Sequence, residues 1–201
     1  MVELPLPETS RQAELFDRPT GLPDGFVYRP DFLTPADEQS LLAEIEALPL
    51  REARYRSFTA KRRILSFGAG YDFETNVLLP APPLAPFLLA LRERLAEWVS
   101  IPAEEFTQST VAEYPTGTQL GWHRDVPHFG TVAGISLGSP CRMRLRRYPH
   151  RKHAKERALV LVLEPCSAYV FGGVARWRWQ HAISATKARR CSITFRTMRP
   201  A

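Results

Sequence analysis

Tyr114-Pro115-Thr116-Gly117-Thr118-Gln119-Leu120-Gly121-Trp122-His123-Arg124-Asp125 is the stretch on which the reading of this chain turns. It ends in His123-x-Asp125, and on a strand residues two apart point to the same face. An imidazole and a carboxylate then converge on one point. They supply two of the three ligands of a facial triad, which binds Fe(II) and leaves coordination positions open for a co-substrate and oxygen. An H-x-D by itself reads just as well as a surface histidine beside an ion-paired aspartate, so the rest of the site has to come from elsewhere in the chain.

It comes from the C-terminal part. His181 stands in Ala175-Arg176-Trp177-Arg178-Trp179-Gln180-His181-Ala182-Ile183, a short run of bulky residues, and supplies a third ligand. Nine residues on, Arg190, Ser192, Thr194 and Arg196 alternate with Cys191, Ile193 and Phe195. That is strand periodicity, and it puts both guanidiniums on one face. Two forked cations on one face suit a dicarboxylate, because each can hold an oxygen pair bidentately. The competing reading is a solvated basic edge strand. The presence of His123, Asp125 and His181 in the same chain favours the dicarboxylate.

Taken in order, these motifs resemble the AlkB-like Fe(II)/2-oxoglutarate dioxygenases. The likeness lies in Tyr114, nine residues before His123; in His123-x-Asp125; in Ile135-Ser136-Leu137-Gly138; in Phe171-Gly172-Gly173 leading to Arg176 and His181; and in Arg190-x5-Arg196. It covers the C-terminal half closely and Arg54 to Tyr71 more loosely. The resemblance implies a double-stranded β-helix, iron on His123, Asp125 and His181, and 2-oxoglutarate held by Tyr114, Arg190 and Arg196, with O2 as the second co-substrate. It also implies oxidative dealkylation of N-alkylated bases in DNA or RNA, the repair of alkylation damage. Three positions depart from the family pattern. Ala112 and Ser192 stand where asparagines often bind the co-substrate. Pro127 stands where repair members carry an acidic residue that reads the damaged base. The Pro127 departure keeps a second substrate class open, a tRNA nucleoside or a protein side chain. A catalytically silent nucleic-acid-binding module is the third reading, against which the intact ligands and arginines count.

At 201 residues the chain is long enough for one sizeable core. Its 44% hydrophobic and 24% charged residues are those of a globular protein. No apolar run approaches a membrane span and no signal segment is evident, so a cytoplasmic monomer with no membrane and no obligate protein partner is the expectation. Cys141, Cys166 and Cys191 lie too far apart for a disulfide framework or a zinc knuckle and read as small core residues. The net charge of +6 suits an anionic partner. Much of it is local: Arg142, Arg144, Arg146, Arg147, Arg151, Lys152, Lys155 and Arg157 crowd between positions 142 and 157.

Along the chain, residues 1–22 read as a loosely ordered arm, and 23–201 as one α+β, mainly β domain. Phe26-Val27-Tyr28 predicts a short strand. Thr34-Pro35-Ala36-Asp37 predicts a helix start running to about Leu48, and Ala85 to Val99 a second helix, both packed outside the barrel. Strands are expected at 107–114, 119–123, 132–137, 142–148, 158–163, 168–171, 177–183 and 190–197. Residues 51–76 interleave arginines with aromatics and look like the family's substrate lid. Cations there can hold phosphates while an aromatic face stacks a base. Arg62, Arg63, Phe67, Tyr71 and Phe73 are the expected substrate-binding residues.

Overall fold

The structure, a computed structural model, describes residues 21–55, 58–150 and 157–199, without the side chains of 54, 55 and 58. Residues 1–20 of the expected arm, and Arg151, Lys152 and Lys155 of the basic run, lie outside the described residues.

Two antiparallel sheets face each other. The larger runs in the order β1 (Phe26–Arg29), β11 (Ser167–Phe171), β8 (Phe129–Gly138), β13 (Arg190–Met198), β6 (Phe106–Tyr114), β3 (Phe58–Phe67) and β2 (Arg51–Tyr55). The smaller runs β10 (Leu159–Leu163), β9 (Cys141–Arg147), β12 (Trp179–Ile183) and β7 (Leu120–His123). This is the jelly-roll arrangement, and alternation along each strand decides which residues meet inside it. On β13, Cys191, Ile193 and Phe195 point outward and pack under the helices, whereas Arg190, Ser192 and Arg196 point at the smaller sheet.

Helix α1 (Pro35–Glu46) starts at Thr34, whose hydroxyl accepts from the Asp37 amide while the Asp37 carboxylate accepts from the Thr34 amide. This capping box satisfies two donors that a helix start leaves open. Helix α2 (Pro86–Val99) stops at Ser100, which takes the left-handed conformation. Leu41 and Ile45 of α1, with Leu88, Leu91 and Leu95 of α2, are buried against the outward face of the larger sheet. A second apolar cluster lies between the sheets, where Met143 and Leu145 of β9 meet Tyr169, Phe171 and Ile183. Tyr169 lies flat over Gly134, its register partner, where a Cβ would come within 2.3 Å of the ring.

Two expectations need correction. Strand β12 begins at Trp179 and not at 177. Gly173–Arg178 forms a short helix, α3, which turns Ala175 and Arg176 into the interior. The stretch 51–76 is also not one lid. Its first part, β2 and β3, is hydrogen-bonded onto the edge of the larger sheet, because β3 finds an open partner in β6. Only the separate hairpin β4 (Ala69–Asp72) with β5 (Val77–Pro80) overhangs the site. The chain breaks between β3 and β4 at Gly68, whose φ is +75° and where a Cβ would stand 1.9 Å from the Thr107 carbonyl oxygen.

Candidate metal centre and substrate cleft

Pairing of β7 with β12 puts His123 opposite His181, with ring centroids 4.1 Å apart. Asp125 follows two residues later, and the ligand atoms of all three lie within 4.8 Å of one another. Neighbours fix how each presents itself. His123 Nδ1 is 2.9 Å from the Gly121 carbonyl oxygen. A carbonyl only accepts, so Nδ1 carries the proton and the Nε2 lone pair is left for a metal. Arg196 donates to Asp125 Oδ1 from Nε at 2.9 Å and from Nη2 at 2.8 Å. The other oxygen, Oδ2, faces His181 Nε2 at 3.8 Å.

Burial alone would raise the Asp125 pKa, but Arg196, with the two histidines and Arg176, holds it far below the usual carboxylate range. Burial depresses both histidines, His181 to about 3 with His123 beside it adding to the effect. Near neutral pH the cluster is one carboxylate and two neutral imidazoles. Those are the protonation states a divalent cation needs from its ligands.

Behind the cluster the inward face of β13 closes a cavity of about 50 Å³ that includes Arg62, Tyr114, Arg190, Ser192 and Arg196. Arg190 is 1% exposed, donates through Nε to Ser136 Oγ at 3.2 Å, and lies 4.9 Å from the centre of the Tyr114 ring. Its Nη1 is buried with no hydrogen-bond partner. A buried cation with an unmet donor is costly by itself and favourable beside a carboxylate. Arg62 Nη1 donates to the Tyr114 hydroxyl at 3.2 Å. Burial pushes the Tyr114 pKa up, and the two guanidiniums more than offset it, so the net shift is downward. The chamber therefore fits a small dianion.

On the other side of Asp125 a wider cleft of about 350 Å³ opens to solvent, with Tyr71, Phe73, Tyr148 and Trp177 among its walls. Tyr71 and Phe73 meet edge to face at 4.9 Å, and the Tyr71 hydroxyl donates to Asn76 Oδ1 at 3.2 Å. Arg176, only 4% exposed, braces the loop after the H-x-D. Its guanidinium donates to the carbonyl oxygens of Asp125, Val126, Phe129 and Gly130.

The structure thus gathers His123, Asp125, His181, Tyr114, Arg190 and Arg196 around one cavity, and sets Tyr71 and Phe73 at its mouth. Two expected substrate residues lie elsewhere. Phe67 is 5% exposed in the core beneath the helices. Arg63 is on the same outward face and pairs with Glu113, as its register against β6 requires. Arg62, one residue away, points inward and stands beside Tyr114 in the inner cavity, not where a phosphate would meet it. Alternation on β3 would have separated Arg62 from Arg63, had that stretch been read as a strand and not as a lid. Arg176 belonged to a recognised motif, but its role needed the loop it sews. Tyr148 and Gln180 carried no signal before pairing placed them at the cleft.

The sequence model of the 2OG-Fe(II) oxygenase superfamily matches residues 25–196. The chain belongs to that superfamily. This 2OG-Fe(II) oxygenase is 28% identical, over 92% of its length, to the alkylated DNA repair protein ALKBH8 homolog of Arabidopsis thaliana. It spans 61% of that relative's length. The solved structure of OsALKBH1 superposes with a TM-score of 0.68 at 16% identity, over 88% of this chain and 98% of the other. A Pseudomonas putida prolyl-4-hydroxylase superposes with a TM-score of 0.60 at 16% identity, over 88% and 94%. The oxygenase is AlkB-like, a dioxygenase whose cofactor set is Fe(II), 2-oxoglutarate and O2.

Proposed function

We propose that this dioxygenase oxidatively removes alkyl groups from the bases of DNA or RNA. The observation that carries this reading is the aromatic cleft of Tyr71, Phe73, Tyr148 and Trp177, which abuts Asp125 on the side away from the cationic chamber. A planar base can stack there while a small dianion occupies the chamber, so the two substrates do not compete for space. The Arabidopsis relative's name as an alkylated DNA repair protein supports the same substrate class.

In this reading His123, Asp125 and His181 hold the iron. Arg190, with Tyr114 and Arg62, takes the distal carboxylate of 2-oxoglutarate, and Arg196 lies near the carboxylate that reaches the metal. When bound, iron with 2-oxoglutarate and O2 would supply the oxidising chemistry: one oxygen atom hydroxylates an N-alkyl carbon, the other goes into the succinate left as 2-oxoglutarate loses CO2, and the hydroxylated product sheds an aldehyde. The chain's residues do the rest. Arg196 keeps Asp125 ionised and turned so that one oxygen faces His181. Tyr71 and Phe73 cover the base and exclude water. A base in a duplex has to be flipped out to reach them, which costs least when it is damaged or unpaired.

The test is succinate release from 2-oxoglutarate with a panel of methylated oligonucleotides, nucleosides and peptides. Release coupled to demethylation of an oligonucleotide is the expected result. Coupling only to a tRNA nucleoside or a peptide would replace the substrate and leave the iron chemistry in place.

A further inference from the structure

The outer face of the smaller sheet differs from the rest of the surface. Along β9, Met143 and Leu145 point inward and are fully buried, which turns Arg142, Arg144 and Arg146 outward. Arg144 stands opposite Ala182 of β12, and Arg146 opposite Gln180. Both guanidiniums reach across β12 to the Trp122 indole of β7, at 5.0 Å and 4.3 Å from the ring centre. Arg146 Nε also donates to Gln180 Oε1 at 2.9 Å, and Gln180 is a wall of the substrate cleft. At the same rim the Arg124 guanidinium lies 3.8 Å over the Tyr148 ring.

On other faces several arginines are paired: Arg63 and Arg189 with Glu113, Arg189 also with Glu46, Arg94 with Asp37, and Arg92 with Glu93. Among the described residues no carboxylate pairs with Arg124, Arg142, Arg144 or Arg146. Positive charge is thus left uncompensated on the outer face of the smaller sheet, which runs into the cleft at Gln180.

Arg124, Arg144 and Arg146 are also pre-organised. A guanidinium stacked on an indole keeps its N–H edge free for an anion and has already lost much of its rotational freedom. Alternate residues of a strand stand about 6.8 Å apart, close to the separation of successive phosphates along an extended nucleic-acid strand. Aromatic rings beside such cations suit the stacking of bases.

We propose that Arg142, with Arg144 and Arg146 braced on Trp122, forms a track for the sugar–phosphate backbone of single-stranded nucleic acid leading away from the cleft. The proposal starts from the nucleic-acid reading of the substrate and specifies where the rest of the strand lies.

The test uses the full chain and a fluorescein-labelled, unmodified single-stranded oligonucleotide, with binding followed by anisotropy across a salt series. Each phosphate contact contributes about 0.7 to the slope of log affinity against log salt. The combined variant Arg142→Gln, Arg144→Gln, Arg146→Gln should flatten the slope by about 2 and weaken binding at low salt. Arg63→Gln, on the opposite side of the molecule, should change neither, and thermal unfolding checks that both variants fold. A slope unchanged in the triple variant overturns the track. So does a polyglutamate competitor that displaces the oligonucleotide at equal charge concentration, which would mark an acidic protein as the partner. The two proposals fail differently. If the slope flattens as expected but no alkylated oligonucleotide is turned over, the dealkylation reading falls and the track stands. If alkylated oligonucleotides are turned over with an unchanged KM in the triple variant, the track falls and the dealkylation reading stands.

Discussion

Replacing Arg190 with alanine should separate a co-substrate anchor from an ordinary surface charge, because Arg189, just before β13 and turned to the helix side, provides an internal control. Arg190 is 1% exposed, with an unpartnered Nη1 inside the inner cavity. Arg189 pairs with Glu46 and Glu113 on the helix side, its side chain 45% exposed. Truncating one partner of a buried, hydrogen-bonded charge pair costs roughly 2–5 kcal/mol. At about 1.4 kcal/mol per decade, the KM for 2-oxoglutarate should rise between about thirty-fold and several thousand-fold. Arg190→Lys keeps the charge and loses the fork, so it should fall between alanine and wild type. Arg189→Ala removes a half-exposed pair whose buried member, Glu113, retains Arg63. That should cost about 1 kcal/mol of stability, a melting shift of roughly 2–4 °C for a chain of this size, and leave KM within about twofold. The assay is initial-rate succinate release against 2-oxoglutarate, with thermal unfolding alongside. Equal KM changes in the two alanine variants, or none in either, would refute the assignment of Arg190 to the co-substrate.

Four further outcomes are expected. His123→Ala or Asp125→Ala should abolish 2-oxoglutarate turnover and sharply lower Fe(II) affinity while circular dichroism still reports a folded chain; full turnover in either removes the metal assignment. Phe67→Ala should destabilise the chain by about 3–5 kcal/mol as a core truncation, whereas Tyr71→Ala should leave the melting temperature near wild type and lose turnover of the alkylated base, a contrast read by calorimetry and product analysis. Arg176→Ala should loosen the loop after Asp125 and weaken metal binding, measured by titration with Co(II), and added guanidinium ion should restore part of that affinity if the four carbonyl contacts are what matter. Asp37→Asn should lower the melting temperature near neutral pH. The carboxyl is held at about 2, against an ordinary 3.8, first by the Thr34 amide and then by Arg94. Its contribution is therefore complete above the ordinary value, fades as the pH falls between the two, and is gone below the lower one, where wild type and variant should melt together.

The chemistry was legible in the chain because it rests on short-range regularities. The period of two on Arg190–Arg196 places both arginines on one face whatever the rest of the fold does, and it separates Arg189 from Arg190. The same period suggested His123-x-Asp125, although β7 ends at His123 and Asp125 is held beside it from the loop by Arg196 and Arg176. The start of α1 was legible for the same kind of reason, since a Thr-Pro-Ala-Asp start is its own signal. Long-range pairing is another matter. Only the register of β7 on β12 puts His181 opposite His123, and only the pairing of β3 with β6 decides that Arg62 faces Tyr114 while Arg63 and Phe67 turn toward the helices. A basic and aromatic stretch reads the same in a lid as at a sheet edge, because composition does not say which strand it will pair with. Arg176 makes the same point at a single residue: its motif is visible in the sequence, yet four carbonyls from a loop some fifty residues earlier give it its task. Residue types and local spacing determined which reaction this chain is equipped for. Hydrogen-bonded register between distant strands decided which of its cations and rings stand at the metal, at the cleft or in the core, because it selects among pairings that local sequence leaves equivalent.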